Sequence, residues 1–86
     1  MVYKQAAYNL AIGLTLEQLH DEQRIQREKI AEALEISELA VTRIEHGAET
    51  LSAGSLVLLL DVFGISWDDF MTRVKANLPE AQKRIA

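Results

Sequence analysis

Eighty-six residues, 49% of them hydrophobic, leave room for one small domain with a single core layer. The absence of cysteine excludes a disulfide framework and a thiolate metal site, so helix packing, helped by a partner subunit, has to hold the chain together. The formal net charge of −4 has the wrong sign for unspecific attraction to a polyanion, and it is uneven: Arg73, Lys75, Lys83 and Arg84 against Glu80 give residues 71–86 a balance of +3, leaving −7 on residues 1–70.

The chain opens with an amphipathic stretch in which Tyr3, Ala7 and Leu10 recur at i, i+4 and i+7, and Tyr8 and Ile12 form a second pair. Gly13 followed by Thr15 and Gln18 has the form of a capping-box start, which sets residues 1–11 apart as a helical arm before a first helix running to about Glu22. Whether arm and helix are continuous is left open. Leu16 and Leu19 face inward on that helix.

Ile30, Ala31 and Leu34 then mark one face of a second short helix, and Val41 and Ile44 mark a third, with Ile36 filling the corner between them. Ser37 caps the third helix, which runs to about His46 and ends at Gly47. Two short helices across a tight turn make a helix-turn-helix, a unit that presents its second helix. Ser52 caps a fourth helix ending at Gly64, and Ser66 caps a fifth with Asp68 and Asp69 in its first turn, where the macrodipole favours acids. Pro79 is placed to open a short terminal helix, or to leave a frayed tail. The expectation is an all-α domain of five helices: an arm at 1–11, the helix-turn-helix domain at 12–76 and a tail at 77–86.

Catalysis has little support. His20 and His46 stand alone among capped helices, no glycine loop cradles a phosphate, and no nucleophile stands in motif spacing with a base. No enzyme, cofactor, metal or small-molecule substrate is expected. The start Met-Val-Tyr-Lys lacks a signal-peptide pattern and the longest apolar run, Leu56 to Leu60, falls far short of the roughly 20 residues that span a membrane, so a cytoplasmic protein is expected. That run is nevertheless apolar on every side of its helix. Val57 and Leu58 exceed what one core-facing stripe needs, and with Trp67, Phe70 and Met71 they are expected to form a dimer or partner surface. Packing of the arm against helix four is the alternative.

From Ile12 to Phe70 the chain resembles the Cro/repressor-like, or Xre-type, helix-turn-helix family. The likeness rests on Leu16, Leu19 and Ile25, on Ile30-Ala31-Glu32-Ala33-Leu34, on Ile36-Ser37, on Val41-Thr42-Arg43-Ile44-Glu45-His46-Gly47, on Leu56 and Leu59, and on Phe63-Gly64-Ile65-Ser66-Trp67-Asp68-Asp69-Phe70. It implies a five-helix transcriptional regulator, a repressor by expectation, that binds double-stranded DNA as a homodimer. Its base-contacting positions are occupied here by Glu38, Leu39, Thr42 and Arg43. Arg43 suits guanine, Glu38 a cytosine amino group, and Leu39 or Thr42 a thymine methyl. Gln26 and Arg27 fall where the family holds phosphates, Arg27 replacing the usual Gln; the other reading of Arg27 is an ion pair with Glu28 or Glu32.

Three departures accompany the likeness. Glu35 stands where the turn usually has Gly, which implies a left-handed residue costing on the order of 1 kcal/mol. The loop after the third helix, Ala48-Glu49-Thr50-Leu51, puts an acid where a base is usual. His20 replaces an Arg that the family joins to the residue at Glu45, and the two side chains are expected to meet. Acidic Glu35, Glu38 and Glu49 together with Val57 and Leu58 support a second expectation, a protein-binding adaptor such as an antirepressor or antitoxin-like factor that keeps the fold without binding DNA. A regulatory protein partner is compatible with either.

Overall fold

The computed structural model describes residues 4–85, and every regular element among them is a helix: α1 (Lys4–Gln23), α2 (Arg27–Leu34), α3 (Glu38–Glu45), α4 (Ala53–Phe63) and α5 (Trp67–Ile85). Three serines start three of these helices. The hydroxyl of Ser37 accepts from the Ala40 amide (3.0 Å), that of Ser52 from Ser55 (3.1 Å) and that of Ser66 from Asp69 (3.1 Å). Each removes one of the orphan amides of a helix start.

The helix ends are equally local. Residues Glu35, Gly47 and Gly64 take left-handed conformations that let two amides turn back onto the last carbonyls of α2, α3 and α4. In α3, for example, the Gly47 amide donates to the Ile44 carbonyl (3.0 Å) and the Ala48 amide to that of Arg43 (2.8 Å). Arg24 closes α1 with a positive φ of 54°.

The arm and the first helix form one continuous element of 20 residues, α1, and Gly13 sits in its middle. The suggested capping box does not form because its side chains are used elsewhere. The Thr15 hydroxyl donates to the Ala11 carbonyl (2.8 Å) inside the helix, and the Gln18 amide pairs with Asn77 on α5. Glycine is required at position 13 for another reason: a Cβ there would overlap the Ile44 carbonyl oxygen and lie 2.8 Å from that of Glu45, so the backbone of α3 rests directly on α1. Tyr3, expected to begin the apolar repeat, lies outside the described residues.

The C-terminal segment is neither frayed nor a separate helix. Residues 77–85 continue α5 through Pro79. Pro79 and Lys75, four residues earlier, are both exposed, so the carbonyl that loses its partner faces water. Packing against α1 supplies what proline removes. The two helices run antiparallel, with Arg73 donating to both oxygens of Glu22 (2.8 and 2.9 Å) and Asn77 bonded to Gln18 and Thr15 (3.0 Å each). Further along α5, Ala81 is fully buried and Ile85 packs partly buried against the core. Helix α1 as a whole thus finds its main cover on α5, not on α4.

Leu16, Leu19, Ile30, Leu34, Val41, Leu59 and Phe70 form the fully buried centre, with α1 against α3 and α5, and α2 against α3 and α4. Phe70 therefore corrects an expectation. It belongs to the core and not to a partner surface, because Phe70, Val74 and Ala81 recur on the face of α5 that meets α1.

Candidate nucleic-acid interface

The turn between α2 and α3 sets the presentation of α3. Glu35 is left-handed (φ 59°, ψ 40°), and its amide and that of Ile36 return to the Glu32 (3.2 Å) and Ala31 (3.0 Å) carbonyls. Ile36 is half-buried beneath the corner. Ser37 then starts α3 at once, so two helices are joined with almost no slack.

Along α3 the side chains divide by helical period. Val41, Ile44 and Glu45 are buried, whereas Glu38, Leu39 and Arg43 are exposed and Thr42 is half-buried. The four residues expected to meet bases thus share one outward face. An apolar side chain as open as Leu39, 58% exposed, serves no core function. The Thr42 hydroxyl donates to the Glu38 carbonyl (3.3 Å), so its oxygen keeps its capacity to accept.

Glu45 is the one carboxylate buried among the described residues, and it joins three helices. His20 on α1 donates from Nδ1 to Oε2 (3.0 Å), and Arg27 on α2 donates from Nη2 to Oε1 (2.8 Å). Because a carboxylate only accepts, Nδ1 carries the imidazole proton. His20 and Glu45 are brought together as expected, but the partner of Arg27 is neither Glu28 nor Glu32. An imidazole offers one donor toward the carboxylate where an Arg would offer a fork, and Arg27 bonds the other oxygen. The hydrogen bond to Glu45, aided by the attraction of its charge, holds the Arg27 guanidinium above the usual Arg range, so its charge is fixed. The Arg27 side chain is 40% exposed although its Nε is buried without a partner, and Nη1 makes no hydrogen bond among the described residues. Gln26, just before α2, is exposed and extended, and its side chain does not cap the helix.

Arg43 is also engaged. Its Nη1 donates to Glu49 Oε1 at 3.2 Å, both side chains being substantially exposed. Sequence reasoning noticed Glu49 as a misplaced acid but not as the partner of Arg43. The signal lay in the six-residue spacing across Gly47: a left-handed residue at a helix end turns the following loop back beside the last turn.

On α4 and α5, Val57 is 58% and Trp67 49% exposed, while Leu58 and Met71 are half-buried. A shallow depression between α2 and α4 is lined by Leu34, Glu35, Ser52, Ser55, Val57 and Leu58. Among the described residues no cluster of His, Asp or Glu has the grouping of a metal site, and no helix is long and apolar enough to cross a membrane.

The sequence profile of one family, described as helix-turn-helix, matches residues 16–70. Two crystal structures of the clp gene regulator ClgR from Corynebacterium glutamicum are similar in fold. One superposes with a TM-score of 0.76 over 83% of this chain and 91% of that one, the other with 0.80 over 91% and 85%, each at 20% sequence identity. No curated protein sequence matches the chain.

Proposed function

The chain belongs to the Cro/repressor-like helix-turn-helix family, and we propose that it is a sequence-reading regulator that binds double-stranded DNA as a homodimer and represses transcription in the cytoplasm. The observation that carries this reading is the division of α3: a helix of eight residues, about 12 Å long, with Glu38, Leu39, Thr42 and Arg43 on one open face and its other side seated on α1. A major groove about 12 Å wide accepts such a helix. Arg43 reads guanine through two parallel donors, and Glu38, Leu39 and Thr42 tune the flanking bases.

Phosphate contact falls to the start of α2, where Gln26 is free and Arg27 has an unspent nitrogen. Glu45 then acts as a clamp that keeps the Arg27 side chain in one position while its outer edge meets DNA. With so few cations on this face, affinity should fall only shallowly with salt. The surplus apolar residues Val57, Leu58, Trp67 and Met71 supply the contact between subunits, and two-fold symmetry sets two copies of α3 about 34 Å apart on a palindromic site. The solved structures of similar fold are of a gene regulator, the class proposed here.

One observation favours the second reading, a protein-binding adaptor: both cations expected to meet DNA are already paired with acids of the same chain. Enrichment of randomised duplexes on the purified protein, repeated with Arg43→Ala at low and moderate salt, separates the two. A palindromic consensus lost in the variant is expected. A folded, dimeric protein that enriches nothing would sink the DNA reading and turn the search to protein partners.

A further inference from the structure

The pair Arg43–Glu49 is at first sight an obstacle to DNA binding, since an acid occupies the one cation on the outer face of α3. Its geometry suggests the opposite. The contact uses only Nη1 of the guanidinium and one oxygen of Glu49, so the edge formed by Nε and Nη2 stays open. That edge is itself a fork of two parallel donors, the arrangement that matches O6 and N7 of guanine. A carboxylate bonded to one edge of a guanidinium therefore leaves the reading edge free and removes much of the side chain's rotational freedom.

Glu49 is equipped for this because its own backbone is anchored. The left-handed Gly47 packs against Leu10 of α1, where even a Cβ would come within 3.1 Å of Leu10 Cα. The Ala48 amide is tied back to the Arg43 carbonyl at 2.8 Å. Beyond it, Glu49, Thr50 and Leu51 line a small pocket whose other walls are Asn9 and Ile12 of α1 and Leu56 of α4. The carboxylate thus reaches Arg43 from a loop fastened to the core, not from a free surface segment.

The structure assigns Glu49 as a positioning residue that holds the Arg43 guanidinium with its Nε and Nη2 edge outward and thereby sharpens selection of guanine. This rests on the proposed DNA-binding function and deepens it. Ordering a long side chain before binding spares a cost that otherwise weakens the contact about two- to tenfold. A mere acid near the duplex has the opposite signature, because its removal relieves repulsion from phosphates and strengthens binding to every sequence alike.

The test is to measure, with the full chain, the affinities of wild type, Glu49→Ala, Arg43→Ala and the double variant. The probes are the enriched duplex, the same duplex with each guanine replaced, and a random duplex. Glu49→Ala should bind the random duplex as tightly as wild type or more tightly, yet lose about fivefold in discrimination at the guanine whose recognition depends on Arg43. In the Arg43→Ala background the same substitution should leave discrimination unchanged. The assignment is overturned if Glu49→Ala strengthens all three duplexes equally, or if its effect on discrimination persists without Arg43. Failure of wild type to prefer any duplex would instead overturn the DNA-binding reading, and the assignment with it.

Discussion

Gly13→Ala sets two physical effects of opposite sign against each other. By helix propensity alone, alanine in the middle of a 20-residue helix is better than glycine by about 1 kcal/mol, and the variant would be more stable. The packing at this position predicts the reverse. The added methyl would overlap the Ile44 carbonyl oxygen and approach the Glu45 carbonyl carbon and oxygen to 2.9 and 2.8 Å. All three atoms are backbone, so no rotamer change relieves the clash, and α3 must move away from α1. Overpacking of this kind costs roughly 1–3 kcal/mol. Displacing the end of α3 also loosens the bonds from His20 and Arg27 to Glu45. A net loss of about 2 kcal/mol lowers the thermal midpoint by about 10 °C in a domain of this size. Circular dichroism melts of wild type and Gly13→Ala measure it. Gly54→Ala is the control, because nothing lies within 4 Å of a Cβ there and the substitution should stabilise slightly. A Gly13→Ala midpoint at or above wild type would refute the close contact of α1 and α3.

Other substitutions probe the turn, the buried carboxylate, the α1–α5 seam and the apolar face. Glu35→Gly relieves a left-handed non-glycine residue and should stabilise the fold by about 1 kcal/mol in urea titrations. Glu45→Ala removes the acceptor of two donors and should cost about 3 kcal/mol, whereas His20→Ala, which leaves the Arg27 bond standing, should cost markedly less; equal losses would argue against the three-helix junction. The hydrogen bonds from Arg73 hold the Glu22 carboxyl below the ordinary value of 4.5. The resulting stabilisation is present above that value and fades as pH falls through the lowered one, so the difference between wild type and Glu22→Gln should be seen at pH 7 and vanish in strong acid. If the subunits pair through this face as proposed, wild type should sediment as a dimer and Val57→Glu as a folded monomer, since Val57 is 58% exposed within one subunit.

Much of the architecture could be read directly from the residues because it depends on near neighbours. Ser37, Ser52 and Ser66 each cap an amide three residues ahead, and Gly47 and Gly64 end helices by their own backbone conformation. Glu35 was expected to be left-handed from its place in the turn, and it is. The outward face of α3 follows from helical period once Val41 and Ile44 are assigned to the core. These interactions close within one turn of chain, and no other arrangement of the domain would change them.

What needed the tertiary structure is everything that depends on which helices cross and how closely. Gly13 looked like a helix start because a glycine before Thr and Gln is common there; only the approach of α3 shows that it is a contact point in the middle of α1. Phe70 looked available for a partner until the antiparallel packing of α5 on α1 turned it inward. Pro79 looked like a boundary, but the same seam carries α5 through it. The partners of the two cations, Glu45 for Arg27 and Glu49 for Arg43, were likewise undetermined, because a long charged side chain reaches several acids and the backbone frame selects among them.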